Sequence, residues 1–181
     1  MSRAVLLPAA VVLLSACGGT SSGAPPAVST PVATTSTPAP TTSAAPSSSA
    51  EPVTAEGECS YLDTAFVQET VGQRIERTTY TTTSHESLPG CTFYRPDGEP
   101  AVDVAVTAYP TVVEAQNAAI MRGTAAADPV DDLADGGVIL VGSDSTALAV
   151  TSGRTLLVVT INQASSLEAR AIAAEVVPLL G

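Results

Sequence analysis

Cys91-Thr92-Phe93-Tyr94-Arg95-Pro96-Asp97-Gly98-Glu99-Pro100-Ala101-Val102-Asp103-Val104-Ala105-Val106-Thr107 is the stretch that decides the fold. Arg95-Pro96-Asp97-Gly98 supplies a turn: Pro presets φ and Gly tolerates positive φ. Before it, Cys91 to Tyr94 reads as a short strand. After it, Val102, Val104 and Val106 alternate with Asp103, Ala105 and Thr107, so the returning strand buries one face and shows a small, polar one. A hairpin of this kind implies an antiparallel sheet.

Upstream of the hairpin, Ser60 and Asp63 have the form of a capping box, and Leu62, Ala65, Phe66 and Glu69 follow at helical spacing until Gly72. Residues 74–83, with Ile, Tyr and a Thr run, favour a strand with a polar, exposed face, and residues 84–90 read as a loop. Downstream, Thr111 and Glu114 form a second capping-box pair ahead of an apolar stripe of Val112, Val113, Ala119 and Ile120 that stops at Gly123. Residues 124–137 read as a loop carrying Asp128, Asp131, Asp132 and Asp135. Three strands follow over 138–141, 147–151 and 154–161. The last is apolar on both faces, as a central strand is. Ser165 and Glu168 then open a helix to about Leu179, with Ile172, Val176 and Leu179 inward. The expected fold is α+β: an antiparallel sheet of about five strands, three helices packed mainly on one face, and one disulfide.

The chain in front of this domain is of another kind. Residues 18–50 contain no charge and no aromatic side chain, and half of the 14 prolines fall within 18–52. Such a composition cannot bury enough apolar surface to offset its ordering entropy. We read residues 17–57 as a tether with a root-mean-square reach of roughly 35 Å, and residues 58–181, about 120 residues, as one domain. Residues 1–16 carry Arg3 and an apolar run too short to span a bilayer, as a signal peptide does. Leu14-Ser15-Ala16-Cys17 resembles the lipobox of bacterial lipoproteins. That resemblance implies cleavage before Cys17, acyl chains on its thiol, and an exported protein held on the outer face of the cell membrane.

Charge narrows the partners. The chain holds 7 basic and 18 acidic residues, a net charge of −11, and every basic residue is an Arg standing alone. No basic stripe is present to meet phosphate, so nucleic acid is not an expected partner. Of three cysteines, Cys17 is taken by lipidation. Cys59 and Cys91 are then the two left to pair in an oxidising compartment.

Cys59-Ser60-Tyr61-Leu62, the Gly90 to Gly98 run and Thr160-Ile161-Asn162-Gln163 ahead of the last helix together resemble domain of unknown function 2020. That family comprises small exported proteins and lipoproteins of actinobacteria, and the resemblance covers nearly all of 59–180. It implies the Cys59–Cys91 pair and no activity. Two positions depart from the pattern: Ser60 stands where Pro is expected, and Ala134-Asp135-Gly136-Gly137 lacks an aromatic.

Few residues carry chemistry. A triad needs a base within reach of a nucleophile, and the sole His, His85, falls in what reads as a flexible polar loop. Gly142-Ser143-Asp144-Ser145 sits between strands and reads as a turn. The Asp128, Asp131, Asp132, Asp135 group lacks the alternate-residue spacing of a calcium loop and reads as solvated, and neither metal nor cofactor is expected. Asp97 and Asp103 flank the hairpin without forming a convincing acid and base. Tyr61, Phe93 and Tyr94 are expected to pack around the cystine. Asn162 and Gln163, after the most buried strand and before a helix N-terminus, are the best binding candidates. The alternative is that Asn162 only ties the strand-to-helix corner. The expected function is a non-enzymatic binding or interaction module for an envelope protein or ligand. The second reading is a lipid or glycolipid carrier with a cavity between helices and sheet.

Overall fold

The computed structural model describes residues 51–180 except 85 and 87. The leader, Cys17, the tether through residue 50 and His85 therefore lie outside the described residues. Eight strands form one sheet: β1 (Val53–Glu56), β2 (Arg77–Thr82), β3 (Gly90–Tyr94), β4 (Pro100–Ala108), β5 (Asp128–Val130), β6 (Gly137–Val141), β7 (Thr146–Ser152) and β8 (Thr155–Ile161). The spatial order is β1-β2-β3-β4-β8-β7-β6-β5, and every neighbouring pair is antiparallel. Two four-stranded meanders thus meet along β4 and β8. The antiparallel sheet and the disulfide agree with the sequence reading, but the strand number does not: eight replaces about five. β2, β3, β4, β6, β7 and β8 fall on the six stretches read as strands. β1 lies in the stretch read as tether and β5 in the stretch read as a loop, and both readings are corrected there. β1 buries none of its four side chains, and β5 is three residues long with only Val130 buried.

The helices α1 (Thr64–Val71), α2 (Val112–Arg122) and α3 (Ser166–Val176) also correct an expectation, because they do not share one face. Val67 and Val71 of α1 and Ala169, Ile172, Ala173 and Val176 of α3 join Val104, Leu157, Val159 and Ile161 in the main core. Ala119 of α2 packs with Ala149, Leu156 and Val158 on the other face. The cause lies in β8. Its alternate residues are apolar on both faces, so leaving either bare would expose Leu and Val to water.

Cross-strand registers show the same division. One row, Tyr80, Cys91, Val104, Val159, Leu148, Ile139, is apolar from β2 to β6. The next row, Glu56, Thr79, Thr92, Asp103, Thr160, is polar from β1 to β8. At the distal hairpin Gly137 pairs with Val150, and a Cβ on Gly137 would sit 1.9 Å from the Ala149 carbonyl oxygen. Only glycine permits that approach.

Local signals explain the helix ends. Asp63 caps α1 itself, its Oδ1 accepting from the N–H groups of Ala65 (2.8 Å) and Phe66 (3.1 Å), so the expected Ser60/Asp63 box is displaced by one turn. Gly72 ends the helix at φ 63°, a left-handed cap. Thr111 and Glu114 form the reciprocal capping box expected for α2. Ser165 precedes α3 but makes no side-chain cap, and α3 passes into a 3₁₀ turn, Val177–Leu179.

The disulfide joins Cys59 to Cys91, with Cα atoms 5.8 Å apart and both residues buried. It ties the segment before α1 to β3. Beside it the Tyr61 hydroxyl donates to the Pro89 carbonyl at 2.8 Å. Burial, assisted by the negative charge of Asp103, pushes that phenol well above its ordinary pKa.

Candidate functional site

The corner between β8 and α3 is held by amides. Gln73, just past the α1 cap, donates from Nε2 to Asn162 Oδ1 (2.8 Å) and to Gln163 Oε1 (2.7 Å). The Asn162 N–H donates to the Ala101 carbonyl of β4 at 3.0 Å. Buried Thr146 of β7 donates its hydroxyl to the Gln163 carbonyl (2.9 Å) and accepts from the Ser165 N–H (3.0 Å). Asn162 and Gln163 are thus brought together with Gln73, a partner the sequence did not suggest. The corner joins α1, β4, β7, β8 and the start of α3.

The acidic residues disperse. Asp132 pairs with Arg170 of α3 at 2.6 Å, and that hydrogen bond holds its carboxyl below the usual carboxylate range. Asp135 Oδ2 accepts from the Gly153 N–H at 2.6 Å. Asp131 and Asp135 line one cavity, while Asp128 belongs to β5. No group of three or more His, Cys, Asp or Glu among the described residues is placed to hold a metal ion. Asp97 is taken by the Glu99 N–H (3.0 Å) and by Arg95 (3.1 Å), and Asp103 accepts from the Thr92 hydroxyl (2.7 Å). Gly142 to Ser145 close a turn through the Gly142 N–H and the Ser145 carbonyl.

The three aromatics separate as well. Phe93 is fully buried in the main core with the cystine, whereas Tyr94 carries Arg77 stacked over its ring at 3.8 Å. Register places Tyr94 on the opposite face from Phe93. The expectation that all three surround the cystine is corrected, because adjacent strand residues point to opposite faces.

The surface that sequence reading did not assemble is the α2-side face of β1 to β4. α2 packs over β6, β7 and β8, and none of the described helices packs over β1 to β3 on this side. Thr54, Glu56, Thr81, Thr92, Asp103 and Thr107 present hydroxyls and carboxylates there, with Thr54 and Thr81 hydrogen bonded at 2.8 Å. A shallow depression of about 200 Å³ opens among Thr81, Glu86, Gly90, Thr92, Asp103 and Thr107. Two carboxylates and several hydroxyls around a glycine floor can accept and donate hydrogen bonds to a polar ligand. The Thr run from residue 78 to residue 83 was the available signal. What it could not give was the neighbour across β3.

A family model described as Domain of unknown function (DUF2020) matches residues 41–181, most of the chain. No curated protein matches it.

Proposed function

We propose, for a chain that belongs to the family described as Domain of unknown function (DUF2020), that it is an exported lipoprotein which works by binding rather than by catalysis. On this reading acyl chains on Cys17 hold it to the outer face of the cell membrane, and residues 17–52, ahead of β1, carry the folded domain away from the surface. The observation that carries the binding reading is the polar face of β1 to β3, over which no described helix packs, with its depression around Thr92 and Asp103. Thr81, Thr92, Asp103 and Thr107 are half-buried there, and with no described helix over β1 to β3 a ligand can reach the depression. The buried cystine fits an oxidising compartment. The carrier reading needs an apolar cavity between sheet and helices. Leu62, Phe93, Leu148 and Ile172, at most 2% exposed, occupy that space.

The test is a photo-crosslinking side chain, benzoylphenylalanine, placed in cells at Thr81 or Thr107, with exposed Glu175 on α3 as the control. Discrete adducts from the two sheet positions and none from Glu175 are expected. Equal patterns from all three positions would remove the sheet face as the binding surface.

A further inference from the structure

The outer flank of α2 is built unlike that of a helix that only meets water. Ala115 and Ala119 face the sheet, yet Val113 and Ile120 are 63% and 62% exposed, and Val112 is 41% exposed. Val113 and Ile120 are seven residues apart and share one flank, with Gln116 between them. Beside Ile120 opens a cavity of about 220 Å³, bounded by Gln116, Ala119 and Ile120 on the helix and by Asp131, Asp135 and Gly137 opposite. Because Gly137 must lack a side chain for its strand to pair, that part of the wall is backbone. None of the residues lining the cavity is basic. Neighbouring Asp132 already has Arg170, and Asp135 accepts the Gly153 N–H through Oδ2 alone.

We propose that this groove docks a basic, apolar peptide segment of a partner protein. A Lys or Arg side chain lays its aliphatic stem along Ala119 and Ile120 and brings its cation to Asp131 and Asp135. Apolar residues next to it cover Val112 and Val113. Charge complementarity selects the occupant: two carboxylates face the Ala119 and Ile120 wall of a cavity with no basic lining residue, on a chain of net charge −11. A second copy of this chain is a poor fit, since it has no Lys and its Arg residues stand singly. Anionic lipid headgroups meet repulsion at the same rim.

The experiment uses the full chain in non-ionic detergent at physiological salt. The probe is a fluorescent synthetic peptide with Lys and Leu in helical register, and its control is the same peptide with acetylated lysines, which keeps the stems and loses the charge. Micromolar binding by the first and at least about tenfold weaker binding by the second are expected. Ile120→Asn, and Asp131→Asn with Asp135→Asn, should each weaken binding about tenfold. Glu51→Gln with Glu175→Gln removes the same charge elsewhere and should change it by less than about twofold. Equal losses in the two charge-neutralised pairs would reduce the effect to net charge, and wild-type affinity in Ile120→Asn would remove the apolar contact. Either result overturns the proposal. Benzoylphenylalanine at Gln116 gives an answer free of folding defects: it should capture the peptide, whereas the same group at Glu175 should not, and the reverse overturns the site. Neither result bears on the crosslinks from Thr81 and Thr107, so this groove and the open sheet face stand or fall separately.

Discussion

Gln73 and Asn162, 89 residues apart in the chain, are joined by a 2.8 Å hydrogen bond from Nε2 to Oδ1, and the same Nε2 reaches Gln163. Replacing Gln73 by Leu removes both bonds and leaves two acceptors in a half-buried corner. A loss of about 1–3 kcal/mol is expected, read as a lower urea midpoint at constant m-value. Gln73→Glu should cost more, because it turns a carboxylate toward two carbonyl oxygens. Unchanged midpoints in both variants would show that the corner holds without its amides.

Cys59→Ser with Cys91→Ser should lower stability by roughly 3.5 kcal/mol, the loop-closure entropy of a ring of about thirty residues. Thiol counting on denatured, unreduced protein lacking Cys17 should find none free. Two free thiols, or a melt indifferent to reductant, would contradict the bridge.

Two glycines offer a contrast of mechanism. Gly137→Ala drives a methyl into the Ala149 carbonyl, so β6 and β7 must part, at a cost of about 3–5 kcal/mol. Gly98→Ala meets nothing within 4 Å, and only its φ of 86° is strained. There about 1 kcal/mol is expected. Equal midpoints for the two variants would mean that the close approach at Gly137 is not rigid.

The Arg170 to Asp132 contact ties α3 to the loop after β5 and gives a pH dependence of definite sign. Arg170 holds the Asp132 carboxyl below its usual range, so the pair contributes above the unfolded carboxylate pKa and is lost as pH falls through the depressed folded value. Full exposure of Asp132 keeps the effect on stability small. The check is the carboxyl carbon titration by NMR: in Arg170→Gln the Asp132 midpoint should rise. A midpoint that stays put would assign the depression to something other than Arg170.

Cys17→Ala should release the chain from membranes, and the wild-type N-terminus should carry acyl mass. A variant that still fractionates with membranes, together with a wild type free of acyl groups, would end the lipoprotein reading.

How far the sequence could be read depends on whether a residue's role is local. Thr111 and Glu114 announce α2 because both halves of a capping box lie within one turn, and Val102, Val104 and Val106 announce β4 because alternation is a property of one strand. β1 gave no such signal: its residues are largely solvent-facing, and only pairing with β2 makes them a strand. The split of the helices between two faces was foreshadowed by Leu156 and Val158, since a strand apolar on both faces needs cover on both. The open polar face was half visible in the Thr run of β2. Its other half, Thr92 and Asp103, reached it through registers that no single segment specifies, and Gln73 reached Asn162 in the same way.

The outermost strands have a consequence for how the protein can be crowded. A sheet edge is a template for another chain to extend, and proteins held together on a surface meet each other's edges often. Here the rims are β1, four residues long, and β5, three residues long, and within β5 Pro129 has no N–H to offer a newcomer. Among the described residues both rims are short, which blunts them as templates for a strand of another molecule. Crowding the eight-stranded sheet should therefore not make it polymerise through these edges.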